Sequence, residues 1–158
     1  MSYSYFGKIN FDESVLNDCI SLIDMPETIP LKHPDPIYKD FLPDQTRFLI
    51  RQTQKFYIKG IDLENSNYYV ILQLPGRMLP WHIDVFDEKI NSGKFKGIRT
   101  YLCFLKDWAP GQIFGTEHDT YTHWSAGDTI WWDYKVWHYS SNASILPKYT
   151  MQIQEGYY

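Results

Sequence analysis

From Tyr68 onward the chain offers only short segments of strand character, and this limits what it can fold into. Seven stretches, Tyr68 to Leu74, Trp81 to Val85, Arg99 to Leu105, Gln112 to Gly115, Asp128 to Asp133, Val136 to Ser140 and Tyr149 to Gln154, are rich in aromatic and β-branched residues. Loops with Gly93, Gly97, Gly111 and Gly127 separate several of them. Strands this short cannot bury a core alone, and many of them with turn signals between point to a β-sandwich or barrel.

The first 67 residues read differently. Tyr3, Tyr5 and Ile9 suggest an edge strand within residues 1–10. Asp12 is placed to cap a helix from about Glu13 to Ile23, with Val15, Leu16, Cys19, Ile20 and Ile23 at helical spacing and Pro26 beyond its end. Pro26, Pro30, Pro34, Pro36 and Pro43 then predict a long surface connection. A weaker helical pattern runs from Asp44 or Gln45 to about Phe56, with Phe48 and Leu49 inward, and Gly60 marks its limit. Helices followed by strands give a mainly β fold of jelly-roll type with N-terminal helices. At 158 residues the chain is one domain's worth. The expected layout is a single domain over 1–158, with helical support at about 11–60 and the jelly-roll core at about 66–155.

Composition narrows the functional classes. Hydrophobic residues make up 44% and aromatics 18% of the chain, as in a packed globular protein. The net charge of −4 argues against a general affinity for nucleic acid. Cys19 and Cys103 lie far apart in apolar segments and read as buried thiols. The first residues lack a signal-peptide pattern, and no apolar run approaches the ~20 residues that span a bilayer. A cytoplasmic protein with no membrane partner is expected.

The chemistry concentrates around Leu79-Pro80-Trp81-His82-Ile83-Asp84. On a strand, residues two apart share a face, so His82 and Asp84 would project together, while Trp81 and Ile83 would point into the core. A second histidine would complete the two-histidine, one-carboxylate set that non-heme Fe(II) oxygenases use. Of His33, His118, His123 and His138, the last lies in the strongest strand region, just after Val136-Trp137, and ranks as the third ligand. His118 and His123, in the polar stretch Glu117 to His123, read as solvent-facing, and a separate surface metal site there is not expected. Lys148 lies ten residues beyond His138 and shares one face of its strand with Thr150, Gln152 and Gln154. That face reads either as the polar side of a surface strand in water or, in a jelly-roll pocket for a dicarboxylate, as the face on which Lys148 would supply the cation for the distal carboxylate.

His82-x-Asp84, His138 and Lys148 together resemble the 2-oxoglutarate/Fe(II)-dependent dioxygenase superfamily, and the surrounding segment resembles its prolyl hydroxylase branch. Arg99 to Trp108, with Pro110-Gly111-Gln112-Ile113-Phe114, is similar to that branch's core strand and following turn. Ser125 to Trp132 is similar to the Gly-Asp turn and apolar strand before the distal histidine. Lysine at 148 resembles the collagen-type prolyl hydroxylases, and the aspartyl/asparaginyl β-hydroxylases are a weaker resemblance. Two departures stand out: Pro110-Gly111 replaces the usual Gly-Gly pair, and Asp84 is present where the aspartyl hydroxylases generally lack the carboxylate. The resemblance covers roughly residues 68–154 and implies a double-stranded β-helix, cupin-like.

It further implies Fe(II) held by His82, Asp84 and His138, with O₂ and 2-oxoglutarate as cosubstrates. Lys148 would grip the distal carboxylate of 2-oxoglutarate, and Arg99 or Tyr101 would add a hydrogen bond or charge. The implied activity is hydroxylation of a peptidyl side chain, an amino acid or a small metabolite, with release of succinate and CO₂. Two alternatives stand beside it: a cupin-like metalloenzyme that does not use 2-oxoglutarate, and a non-catalytic jelly-roll binding module.

Overall fold

The computed structural model describes residues 4–8, 29–30, 45–49, 66–84 and 93–158. Among them eleven strands follow one another: β1 (Ser4–Lys8), β2 (Ile29–Pro30), β3 (Gln45–Leu49), β4 (Ser66–Gln73), β5 (Arg77–His82), β6 (Gly97–Phe104), β7 (Gln112–Thr116), β8 (Thr120–Tyr121), β9 (Asp128–Asp133), β10 (His138–Asn142) and β11 (Lys148–Tyr157). They form two sheets, one in the order β1-β9-β6-β11-β4-β3-β2 and the other in the order β5-β10-β7-β8. All pairings are antiparallel. This is the two-sheet layout of a jelly roll.

β11 lies in the middle of the larger sheet, paired on one side with β4 and on the other with β6. Its two faces differ. Met151 and Ile153 are fully buried on one, whereas Lys148, Thr150, Gln152 and Gln154 are buried on the other. Between the sheets Leu102, Phe104, Phe114, Trp124, Ile130, Trp132 and Val136 pack as one apolar cluster. Phe104 and Trp124 stack within it at 4.0 Å. Polar bonds tie the sheets together at the Lys148 end. Gln73 donates through Nε2 to Ser140 O and accepts from Ser140 Oγ, while Asn142 Nδ2 donates to Gln73 O. In the Pro110-Gly111 turn the second position requires glycine. Gly111 has φ +98°, and a Cβ on it would lie 2.7 Å from the backbone of Ala143.

The expected edge strand near the N-terminus is β1, which pairs with β9 at the rim of the larger sheet. No N-terminal helix appears among the described residues. The helix expected over 13–23 lies outside them, as do Cys19, His33 and most of the second helical pattern. Where that pattern is described it is a strand: Gln45–Leu49 pairs with β4, from Gln45 opposite Gln73 to Leu49 opposite Tyr69. A sheet edge with open hydrogen-bonding groups overrides a weak helical preference in so short a stretch. Trp81, expected in the core, is 45% exposed and leans on Tyr139 with ring centroids 4.4 Å apart. Cys103 is a buried thiol, as expected. No described helix is long and apolar enough to cross a membrane.

Candidate metal centre

His138, the first residue of β10, is the register partner of His82, the last residue of β5. The ladder slips between His138 and Ser140, so the step from 138 to 140 on β10 faces the step from 82 to 79 on β5. Such a bulge re-aims side chains, and it lets both His82 and Leu79 face the space between the sheets. Asp84 lies two residues beyond the end of β5. The expectation that His82 and Asp84 share a strand face therefore changes: Asp84 approaches His82 from the loop that leaves the strand.

The histidine and aspartate side chains converge. One ligand atom from each of His82, Asp84 and His138 lies within 4.8 Å of the others. Nε2 of His82 is 3.7 Å from Asp84 Oδ1, and Nε2 of His138 is 3.6 Å from the same oxygen. Each ring is held from behind by a carbonyl two residues back, His82 Nδ1 on Pro80 O at 2.8 Å and His138 Nδ1 on Val136 O at 3.0 Å. A carbonyl only accepts, so both Nδ1 atoms carry a proton and both Nε2 atoms face Asp84. The other carboxylate oxygen, Oδ2, accepts a bond from Gln152 Nε2 at 3.1 Å. Burial opposes charge on His138, but Asp84 and the bond to Val136 outweigh it and raise its pKa above the ordinary histidine value. Two imidazole Nε2 atoms, which lose any proton when a metal binds, and one carboxylate oxygen converging in this way suit a divalent transition metal.

These residues form part of the wall of a cavity of about 560 Å³, counting its open mouth, which Ile71, Leu102, Phe114, Trp132 and Lys148 also line. Lys148 Nζ donates to Ile113 O at 2.7 Å and to Ser140 Oγ at 2.8 Å. It also lies 5.3 Å from the centroid of the Trp124 ring. No carboxylate pairs with it among the described residues, and burial pulls its pKa down to about 7. Lys148 and Gln152 are four residues apart on one strand, about 13 Å of rise, so cation and ligand cluster occupy different ends of one cavity.

Arg99 and Tyr101 are placed elsewhere. Leu102 of β6 lines the cavity, and by alternation Arg99 and Tyr101 face the opposite side of the sheet. Arg99 lies over the Trp131 ring at 4.4 Å, and Tyr101 donates to Glu155 Oε2 at 2.9 Å. The cosubstrate contact considered for them does not fit this position. His118, beside Glu117 at 3.3 Å, and His123, against Trp108 at 4.9 Å, are both exposed, as expected. Gln152 had no expected role at the ligand cluster. Its signal was its place on the Lys148 face of β11.

No protein-family model and no curated protein matches the sequence. The fold does have solved counterparts. A prolyl-4-hydroxylase from Pseudomonas putida superposes with a TM-score of 0.70 at 11% identity, over 98% of this chain and 92% of that one. A cupin-2 domain from Rhodospirillum rubrum superposes with a TM-score of 0.52 at 10% identity, over 83% of this chain and 71% of that one. At such identities the likeness establishes the fold alone: the chain is a jelly roll of the cupin, double-stranded β-helix kind, with a His-Asp-His cluster fit to hold a metal between its sheets.

Proposed function

We propose that the protein is an Fe(II)- and 2-oxoglutarate-dependent oxygenase that hydroxylates an organic substrate. The observation that carries this reading is one cavity with His82, Asp84 and His138 in one part and Lys148, a buried amine with no carboxylate partner among the described residues, in another. The overall reaction balances as substrate C–H, O₂ and 2-oxoglutarate giving substrate C–OH, succinate and CO₂. Bound iron supplies the redox chemistry with O₂. The chain's own residues position the reactants. His82 and His138 present Nε2 atoms fixed by Pro80 O and Val136 O, and Asp84 presents Oδ1 while Gln152 occupies Oδ2. Lys148, steadied by Ile113 O and Ser140 Oγ, receives the distal carboxylate of 2-oxoglutarate, where a charge-assisted bond in a desolvated site is strong. Leu102, Phe114 and Trp132 keep water away. The fold of the Pseudomonas putida prolyl-4-hydroxylase supports the reading.

A second reading is a cupin-like metalloenzyme using the same three ligands without 2-oxoglutarate, which the Rhodospirillum rubrum cupin fold favours. Lys148 counts modestly against it, because a metal-only reaction does not by itself call for a cation at the far end of the cavity. The test is Fe(II)-dependent conversion of 2-oxoglutarate to succinate, with Asp84→Ala as control. The proposal expects slow substrate-free turnover that Asp84→Ala abolishes. Turnover unaffected by Asp84→Ala, or no turnover with any metal, contradicts it.

A further inference from the structure

The outer face of the smaller sheet, turned away from the cavity, is built from uncharged and largely apolar side chains. On β10, His138 and Ser140 line the cavity, so Tyr139 and Ser141 point outward. Their register partners share that face: Gly115 and Ile113 on β7, and Met78 on β5 opposite Ser141. Trp81 joins them by leaning on Tyr139, with ring centroids 4.4 Å apart and planes at 51°. Just before β10 the chain alternates from buried Val136 through exposed Trp137 to buried His138, which puts Trp137 on the same side. Met78 is 44%, Trp81 45% and Trp137 46% exposed, and large apolar side chains gathered in one place at this exposure mark an interaction surface.

Glycine at 115 flattens the face. A Cβ there would collide with the Tyr139 ring, so the ring lies where a side chain of β7 would otherwise stand. Charge is confined to the edges: Arg77 opens β5, and Glu117, 3.3 Å from His118 Nε2, follows β7. An uncharged centre rich in Trp, Tyr and Met inside a charged rim is the make-up of a subunit interface. The apolar surface offered is roughly 500 Å², so two copies face to face would bury roughly 1,000 Å², enough for a specific but reversible pair. A nucleic acid or a strongly charged protein would find no counter-charge in this centre. Two copies of a chain with net charge −4, by contrast, meet with least repulsion where neither presents charge.

We infer that this face pairs with the same face of a second copy of the chain, sheet on sheet about a two-fold axis. Tyr139, on the middle one of the three strands involved, lies at its centre. The pairing covers the backs of β5 and β10, the strands that carry His82 and His138 at their ends, and leaves their cavity side untouched. It holds whatever reaction the cavity supports.

Sedimentation equilibrium of the full-length protein over about 1–200 µM measures the association directly. A monomer–dimer equilibrium is expected, with tryptophan emission shifting to the blue and iodide quenching falling as the dimer forms. Met78→Glu and Trp81→Glu each place a charge in both halves of the interface and should raise the dimer Kd at least roughly tenfold. Met78→Lys, which makes the net charge less negative, should do the same and so separates the interface from overall repulsion. Both positions are exposed enough for the monomer to tolerate the change, which circular dichroism checks; should Trp81→Glu fail to fold, the two Met78 variants decide. Raising salt from about 50 to 500 mM should leave the dimer intact, because its centre is uncharged. A monomer at every concentration overturns the inference and leaves the face to a different partner. A dimer that no folded variant weakens places the interface elsewhere, and one that dissociates in high salt assigns it to a charged surface; either result overturns it as well.

Discussion

His82 and His138 face one another as register partners at the ends of β5 and β10, with ring centroids 4.2 Å apart and both Nε2 atoms within 3.7 Å of Asp84 Oδ1. Cross-strand pairing sets this relationship more than chain proximity does. The two rings are steadied in the same manner, each by the carbonyl two residues before it. A site built this way is largely formed before any ion enters.

Gln152 holds the carboxylate oxygen that the imidazoles leave unused. Gln152→Leu keeps the size of the side chain but lets Asp84 turn, and should weaken metal binding by roughly 10–100-fold, the usual effect of losing a partner that orients a ligand. Competition titration with Zn(II) or Mn(II) measures this. Unchanged affinity in a folded variant would mean that Asp84 is held by other means.

Lys148 is the sole cation lining the cavity among the described residues. Lys148→Met should reduce 2-oxoglutarate affinity by roughly 10–100-fold, in line with the ~1.5–3 kcal/mol of hydrogen bonds to a charged group. Metal affinity should stay the same, because the lysine and the ligand cluster are at different ends of the cavity. Calorimetric titration of metal and of 2-oxoglutarate in turn separates the effects. Equal losses in both would count against the assignment.

Burial holds the pKa of Lys148 down to about 7, against 10.5 for an ordinary lysine. The folded ligand-free protein therefore binds fewer protons than the unfolded chain between these values. The cost of burying the charge is present in full below about pH 7 and is relieved as pH rises toward 10.5. The charged amine is the form that holds a carboxylate, so 2-oxoglutarate affinity should fall above about pH 7, by at most tenfold per pH unit, with proton uptake on binding. Calorimetry in two buffers of different ionisation enthalpy near pH 8 detects the uptake. Its absence would show that Lys148 is not the group receiving the anion.

Gly111 is required by its backbone. Its φ of +98° is strained for other residues, and a Cβ would press on Ala143 at 2.7 Å. Gly111→Ala should destabilise the fold by about 1–3 kcal/mol, read as a lowered melting temperature. An unchanged melting temperature would show that the turn relaxes freely.

How far this site was legible in the sequence depends on the information each residue needed. Alternation along a single strand puts Lys148, Thr150 and Gln152 on one face, and that face does line the cavity. Arg99 and Tyr101 needed the register between strands as well. Leu102 stands opposite Gln152, so it is Leu102 that faces inward, and nothing local reveals that offset. Strand alternation predicts the link between His82 and Asp84, but the bulge opposite Ser140 and the end of β5 after His82 produce the convergence differently. Trp81 shows another limit, since an aromatic residue on a strand reads as core whether or not another layer covers it. The jelly roll itself was readable because short strands with regular turns have few ways to close.

In the proposed function, one cavity binds Fe(II) through His82, Asp84 and His138 and 2-oxoglutarate through Lys148. The most direct measurement is an anaerobic titration of the protein with Fe(II) and then 2-oxoglutarate, following the weak visible charge-transfer band of the chelate. A saturable band is expected in the native protein, lost in Asp84→Ala and shifted to higher 2-oxoglutarate concentration in Lys148→Met. The absence of any band, together with no thermal stabilisation by 2-oxoglutarate, would contradict it.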